Sequence, residues 1–329
     1  MPYSGKVLRQ AKQALAQKKS DRESEYRSHL AQAYQQIPRL KEIDMLLRKS
    51  MAVAAQTVFT KGEDAQQTLQ QVKEANLALQ QERETIISQN LPAGYLNEEP
   101  VCHKCGGSGY LGSTMCSCLA QLCKQEQMKE LSVLTDGTQR FDTFRLEYYS
   151  DRVDKRYGAS ERVIMQKVLD YCRRYAESFS CGSGNMLFVG NTGLGKTFLS
   201  ACVANAVADQ GYSVCYESAP RLFSKLEKNR FNPDEESNSD AQALLDCDLL
   251  IVDDLGTEMP GTFVTAALYS LLNDRLLQNK SMLISTNLNI DEIAKRYSPQ
   301  IASRLQGSFK GLTFVGEDIR VQKSRGVLV

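Results

Sequence analysis

The segment Gly190-Asn191-Thr192-Gly193-Leu194-Gly195-Lys196-Thr197 has the G-x-x-x-x-G-K-[ST] pattern of a phosphate-binding loop. The apolar run Met186-Leu187-Phe188-Val189 comes directly before it, and an apolar stretch with helical character follows it. A buried strand that leads through a glycine-rich loop into a helix is the context in which this pattern binds phosphate. The sequence therefore predicts a site for a nucleoside triphosphate.

The parts of this pattern have separate chemical roles. The backbone N–H groups of the loop surround the β-phosphate, Lys196 reaches the β and γ oxygens, and the Thr197 hydroxyl binds Mg²⁺. An accidental match is expected in roughly one chain in a hundred of this size. The strand and the helix around the pattern make an accidental match rarer still.

Two adjacent acids end another apolar run. Leu249-Leu250-Ile251-Val252 is followed by Asp253 and Asp254. We expect Asp253 to hold Mg²⁺ through water and Asp254 to polarise the attacking water. Because Asp254 is one methylene shorter than the glutamate that most ATP-hydrolysing proteins with this phosphate loop carry at this place, slow turnover is expected. Two solvated acids at a strand end are the alternative interpretation.

The third motif is the apolar run Met282-Leu283-Ile284-Ser285, which leads to Asn287. Together with Ser303-Arg304-Leu305, it makes the chain resemble the AAA+ ATPases. The resemblance implies that Asn287 is the sensor 1 residue that helps orient the water, and that Arg304 is an arginine finger offered to a neighbouring subunit. A structural salt bridge is the alternative role for Arg304. Arg320 is the candidate for sensor 2.

Further segments narrow the resemblance to the DnaC/DnaI/IstB group. They are Phe141-Asp142-Thr143-Phe144, Tyr148-Tyr149-Ser150 and Asp253-Asp254-Leu255-Gly256. The chain is most similar to bacterial replicative helicase loaders of DnaI type. This resemblance implies an ATPase with bound ATP and Mg²⁺ that binds single-stranded DNA, self-assembles through Arg304 and delivers a hexameric helicase in replication initiation. The alternatives are an IstB-like transposition helper, a small-molecule kinase and a zinc-centred binding module that does not hydrolyse nucleotide.

Four cysteines form two closely spaced pairs, Cys102-x2-Cys105 and Cys116-x-Cys118. Structural zinc is bound by four such ligands in a tetrahedron, so this spacing predicts a zinc site that stabilises the fold. His103 and Cys123 are spare ligand candidates. A redox-active cysteine pair is the alternative.

Short apolar runs alternate with helical segments after residue 185, which predicts an α/β fold with a parallel five-stranded sheet. The predicted strands cover residues 186–189, 212–217, 249–252, 282–285 and 312–315. We expect an AAA+ P-loop core with a reduced lid, preceded by an α-helical, zinc-bearing N-terminal domain. The predicted divisions are 1–130 (helical, zinc-bearing and helicase-interacting), 131–184 (a linker and entry to the nucleotide pocket) and 185–329 (the ATPase domain).

Two apolar stripes with helical spacing, at 37–58 and 69–86, predict a helix hairpin in the first of these divisions, with a break at 60–64. The polar segment 231–240 is expected to be a mobile loop. Before it, Arg221, Lys225 and Lys228 have helical spacing and predict either a basic ridge for single-stranded DNA or a plain exposed helix face.

Composition limits the classes of protein to which this chain can belong. The chain has 329 residues, 42% of them apolar and 24% charged, with a net charge of +1. These values are typical of a globular protein. No apolar run is long enough for a membrane span and the N-terminus is too polar for a secretory signal, so we expect a cytoplasmic protein without a membrane partner.

Overall fold

The computed structural model describes residues 3–57, 63–135 and 138–324. The chain divides into two units. The N-terminal unit comprises Ala14–Cys116, and the core unit comprises Met1–Gln13 together with Ser117–Val329. The long first helix α1 (Gly5–Gln36) therefore begins in the core unit and continues into the N-terminal unit.

Helices dominate the N-terminal unit. After α1 come α2 (Pro38–Thr57), α3 (Glu63–Asn90) and a small hairpin of β1 (Tyr110–Leu111) and β2 (Thr114–Met115). Ion pairs from Arg39 to Glu82 and from Arg83 to Asp44 join α2 to α3. The helical character predicted for this part of the chain is confirmed. Of the predicted break at 60–64, residues 60–62 lie outside the described residues, whereas residues 63 and 64 belong to α3.

The core unit begins, after the first residues of α1, with α4 (Ser117–Thr135). Two 3₁₀ turns, Phe141–Thr143 and Leu146–Tyr148, lead to a hairpin of β3 (Val153–Asp154) and β4 (Ala159–Ser160) and then to α5 (Glu161–Glu177). α5 has one strongly apolar face because Met165, Leu169 and Cys172 repeat at helical spacing, and all three are buried.

A five-stranded parallel sheet follows, and its elements come in chain order. They are β5 (Asn185–Val189), α6 (Lys196–Asp209), β6 (Val214–Ser218), α7 (Ala219–Phe231), α8 (Glu235–Asp246), β7 (Leu249–Leu255), α9 (Thr262–Leu277), β8 (Ser281–Thr286), α10 (Ile290–Arg296), α11 (Pro299–Ser308), β9 (Phe309–Thr313) and α12 (Ile319–Ser324). The strand order is β6-β7-β8-β5-β9. The predicted α/β fold is confirmed, and β9 begins three residues before the predicted start.

Two apolar layers cover the sheet. One includes residues of α5 and α6, and the other includes residues of α7, α9 and α11. Because the strands are parallel, their carboxyl ends lie at one edge of the sheet, where ligands bind in folds of this class. At this edge the phosphate loop and Asn287 follow strand ends, and the paired acids lie in the last residues of β7. In the described part of the chain, α12 is the single helix after the last strand.

The expected loop at 231–240 is wrong, because α8 begins within it at Glu235. Asp234 Oδ1 accepts a hydrogen bond from the backbone N–H of Ser237, and the Ser237 hydroxyl accepts one from the Asp234 N–H. This reciprocal pair is a capping box, and the acids that follow it favour a helix N-terminus. The polar residues from Glu235 onward thus form the first turn of a helix, with Asp234 as its N-cap.

Candidate nucleotide site

The phosphate loop connects β5 to the first residue of α6. Its central glycines are required by close contacts. A Cβ on Gly193, whose φ is 74°, would lie 2.0 Å from the Asp318 carboxylate. A Cβ on Gly195, whose φ is 87°, would lie 3.0 Å from the Tyr149 hydroxyl. The N-terminus of α6 then faces the loop, which is the arrangement that binds phosphate.

Lys196 is 5% exposed, and its Nζ donates hydrogen bonds of 2.7 Å to the carbonyl oxygens of Gly190 and Asn191. Burial lowers the pKa of Lys196, while the charges of Asp254 and Asp253 act in the opposite direction. The ammonium group is therefore fixed inside the loop and near both acids.

Asp253 is buried at the end of β7, and both of its carboxylate oxygens accept hydrogen bonds. Ser285 Oγ donates to Oδ1, and Tyr216 OH donates to Oδ2 at 3.0 Å. These contacts fix the orientation of the carboxylate, as the position of a metal-binding acid requires. Ser285 and Tyr216 were not identified from the sequence. A polar residue inside the apolar run 282–285 was the available signal.

Asp254 has a φ of 55°, in the left-handed region that residues with a Cβ rarely occupy. The register between β7 and β8 shifts between Val252 and Leu255, and the Asp254 N–H donates to Ser285 Oγ at 2.9 Å. This conformation costs about 1–2 kcal/mol and is of the kind found at functional sites. Burial raises the pKa of Asp254, and the neighbouring Asp253 raises it further.

One cavity of about 560 Å³ joins these elements. This volume is within the range of small-ligand sites. Three groups of residues line it: the loop with the start of α6, polar residues at the strand ends, and residues of the two segments 139–148 and 319–323. The lining residues are Thr192, Gly193, Leu194, Gly195, Lys196, Thr197, Phe198 and Ala201; Asp254, Thr257 and Asn287; and Gln139, Thr143, Phe144, Arg145, Tyr148, Ile319, Arg320 and Lys323.

The cavity has an excess of positive charge. Arg145, Arg320 and Lys323 line it together with Lys196, whereas Asp254 is the one acid among the described lining residues. Arg320 lies near enough to influence the pKa values of Lys196 and Asp254, lowering both. This balance suits a polyphosphate ligand. Arg145 and Lys323 were not identified from the sequence, because isolated cations have no motif spacing.

Two segments hold the phosphate loop from outside it. Tyr149 is 1% exposed, and its hydroxyl donates a 2.9 Å hydrogen bond to the Leu194 carbonyl. On α12, the Ile319 N–H donates to the Gly193 carbonyl at 3.0 Å, and Gln322 Nε2 donates to the Tyr148 carbonyl at 3.1 Å. Residues next to the second 3₁₀ turn and on α12 thus hold the loop, and both segments contribute to the lining of the cavity.

The predicted residues are not all in one place. Lys196, Thr197, Asp254 and Asn287 line one cavity, and Asp253 is oriented beside them. Arg304 is not among the lining residues. It lies on α11, where its Nη2 contacts Tyr269 OH at 2.9 Å and Asn273 Oδ1 at 3.2 Å. Within the described residues it forms no ion pair.

The four cysteines also come together. The Sγ atoms of Cys102, Cys105, Cys116 and Cys118 all lie within 4.8 Å of one another, and those of Cys102 and Cys116 are 3.8 Å apart. Sulfurs bound to one zinc ion at about 2.3 Å are about 3.8 Å apart in a tetrahedron. The thiols present therefore fit a structural zinc ion, and His103 and Cys123 are not members of this group.

Parts of this chain are similar in sequence to known proteins. Residues 159–304 match the family described as IstB-like ATP binding protein. The replicative helicase loader DnaI of Bacillus subtilis (strain 168) is 28% identical over 141 residues, which are 42% of this chain and 44% of DnaI. The replicative helicase loader DnaC of Buchnera aphidicola subsp. Acyrthosiphon pisum (strain APS) is 24% identical over 185 residues, 55% of this chain and 68% of DnaC.

Among solved structures, a crystal structure of the DnaC helicase loader is 19% identical and has a TM-score of 0.45. It matches 54% of this chain and 97% of its own. The resemblance to the DnaC/DnaI/IstB group that the motifs predicted is confirmed by the sequence matches. The chain spans less than half of the length of DnaI. No helix of the described residues is both long and apolar enough to span a membrane.

Proposed function

We propose that this protein is an ATP-dependent replicative helicase loader. It binds ATP with Mg²⁺ and single-stranded DNA, hydrolyses ATP, and delivers a hexameric replicative helicase during replication initiation. The observation that carries the ATPase part is the single cavity that joins Lys196, Asp254 and Asn287. The helicase part rests on the similarity to proteins named as helicase loaders.

The residues of the site have separate roles in hydrolysis. Lys196 and the loop N–H groups bind the phosphates, and Thr197 and Asp253 would hold Mg²⁺, which offsets phosphate charge when bound. Asp254 has a raised pKa and is therefore a stronger base than an ordinary aspartate, which suits the polarisation of an attacking water. Asn287 lies at the neighbouring strand end, where its amide helps orient that water.

The N-terminal region, 1–130, is proposed to contact the helicase, with its zinc site stabilising the contact surface. Residues 131–184 are proposed to complete the pocket, since Gln139, Phe144 and Arg145 line the cavity. Residues 185–329 are proposed to be the ATPase domain. Self-assembly through Arg304 completes the scheme, because this residue lies outside its own cavity.

A direct test is transfer of the replicative helicase of the source organism onto a closed circle of single-stranded DNA. We expect transfer only when this protein and ATP are both present, and we expect the two proteins to co-purify. An IstB-like transposition helper is the second candidate, because the matching family is IstB-like. Stable binding to a transposase, without any helicase transfer, would favour that candidate.

The predicted basic ridge is ion-paired in this structure. Arg221 and Lys225 both contact Glu217, and Lys228 contacts Asp234 at 2.9 Å. These contacts reduce the charge available for phosphates and favour the plain helix-face interpretation.

A different feature supports DNA binding at the C-terminal end of α7. Phe231 is 68% exposed and its ring centroid lies 5.9 Å from that of Phe263. The Arg230 guanidinium lies 5.5 Å from the Phe231 ring and 5.6 Å from the Phe263 ring. Exposed rings beside a cation are the combination on which single-stranded bases stack.

Phe231→Ala should weaken binding of a single-stranded oligonucleotide by about fivefold to 150-fold, because one stacked base contributes about 1–3 kcal/mol. Fluorescence anisotropy at fixed salt measures this change. Tyr157→Ala is the control, because Tyr157 is also an exposed ring beside an arginine, Arg156. Equal affinity of the Phe231 variant and the unmodified protein would remove this surface from the DNA site.

A further inference from the structure

Arg304 is fixed by neutral neighbours on the outside of the core unit. Its guanidinium carbon lies 4.3 Å from the centroid of the Tyr269 ring, and Nη2 donates to Tyr269 OH and to Asn273 Oδ1. Each contact uses a different property of the guanidinium: its charge over the ring and its N–H groups in the plane. Together they select one orientation of a long side chain.

None of these contacts neutralises the charge of Arg304. The tyrosine hydroxyl and the asparagine amide are uncharged, and no ion pair to Arg304 exists within the described residues. The residue also does not line the nucleotide cavity of its own chain. A positive charge that is oriented but not paired, and that lies outside its own phosphate site, suits a phosphate group on another molecule.

The surface around Arg304 points to a second copy of this chain as that molecule. Tyr269, Asn273 and Leu277 are spaced by four residues along α9, so they lie on one face of the helix. Tyr269 is 38% exposed and Leu277 is 79% exposed. An exposed leucine on the helix face that carries both partners of Arg304 fits burial against a copy whose own cavity holds a triphosphate.

We infer that Tyr269 and Asn273 are positioning residues that orient Arg304 toward the nucleotide cavity of a second copy. The inference rests on the proposed ATPase function and adds to it the residues that present the guanidinium. Without the side chains of Tyr269 and Asn273, Arg304 is still present but occupies many rotamers. Hydrolysis therefore slows, while the affinity for ATP stays the same.

Two single variants separate the roles of the two chains. A Lys196→Ala chain has a disabled phosphate site but retains Arg304, whereas an Arg304→Ala chain retains its phosphate site. Each variant alone should hydrolyse ATP poorly, and an equal mixture should recover turnover. Tyr269→Ala is then added to the Lys196→Ala chain, where it can act only on the neighbour's site.

Mixed with Arg304→Ala, the Lys196→Ala, Tyr269→Ala double variant should restore about fivefold to tenfold less turnover than the Lys196→Ala single variant does in the same mixture. The KM for ATP should be unchanged. Lys196→Ala with Tyr269→Phe should fall between them, because the ring remains and the hydroxyl hydrogen bond is lost. Lys196→Ala with Asn273→Ala should show a smaller reduction. The control, Lys196→Ala with Tyr157→Ala, should restore as much turnover as the Lys196→Ala single variant does. Tyr157 is an exposed ring beside Arg156 and is remote in sequence from Arg304.

Full recovery with the Tyr269→Ala donor overturns the inference and leaves the ATPase function standing. Absence of recovery from any mixture, with an active unmodified chain, overturns action between copies and the inference with it. Absence of turnover in the unmodified chain contradicts the proposed function itself.

Discussion

Replacing Lys196 by alanine should remove ATP hydrolysis and weaken ATP binding by about a hundredfold or more. The ammonium group is the one cation within the phosphate loop, buried and fixed by two carbonyl oxygens. Moving it to a bound triphosphate exchanges the neutral carbonyl acceptors for anionic phosphate oxygens, which attract the ammonium charge more strongly. Calorimetric titration with a non-hydrolysable ATP analogue measures the affinity, and phosphate release measures turnover.

Two variants distinguish loss of charge from loss of the loop's shape. Lys196→Arg keeps the charge but not the geometry, so it should bind ATP more tightly than Lys196→Ala and still turn over slowly. Lys310→Ala, on an exposed position of β9, should leave both quantities unchanged. Unaltered ATP turnover in Lys196→Ala, with the same melting temperature as the unmodified protein, would place the active site elsewhere.

Much of this site followed from local sequence, because the chemistry of phosphate binding needs residues in one short segment. The loop glycines, Lys196 and Thr197 are contiguous, and buried parallel strands are short apolar runs that stand out between helices. Parallel strands then bring distant strand ends to one edge. Asp254 and Asn287 could therefore be associated with the loop without any knowledge of the sheet order.

The contacts that complete the site could not be predicted in the same way. Tyr149 reaches Leu194 across 45 positions, and α12 reaches Gly193 from the other end of the core. Ser285 Oγ contacts both acids at the place where β7 shifts its register beside β8. These contacts depend on how elements pack, and no local pattern of residues encodes them.

Local patterns also gave a wrong prediction where a loop and the first turn of a helix have the same residue composition. The acidic segment at the start of α8 has the polarity of a loop, but the same acids stabilise the start of a helix. The first turns of α1 pack in the core unit, where the Gly5 N–H donates to Asp240 and Arg9 pairs with Glu236. Sequence position alone gave no indication of this packing.

Replacing Cys105 by serine should remove a metal ion and unfold the segment around it. The purified protein is expected to contain about one zinc per chain, as four thiolate ligands require. A serine hydroxyl is a poor ligand for zinc, and structural zinc contributes about 10 kcal/mol or more to folding at neutral pH. Metal analysis by mass spectrometry should therefore find almost no zinc in Cys105→Ser, and limited proteolysis should cut near residues 102–118.

The matched control is Cys181→Ser, which changes an exposed thiol outside the cluster. Its zinc content and protease resistance should equal those of the unmodified protein. Cys123→Ser should also retain zinc, because Cys123 is buried elsewhere and burial raises the pKa of its thiol to about 11, which disfavours the thiolate that zinc requires. Retention of zinc by Cys105→Ser, or its loss from Cys123→Ser, would show that the ligand set is not the four cysteines whose sulfurs converge here. Protein that contains no zinc even when purified with added metal would favour a thiol cluster stabilised without an ion.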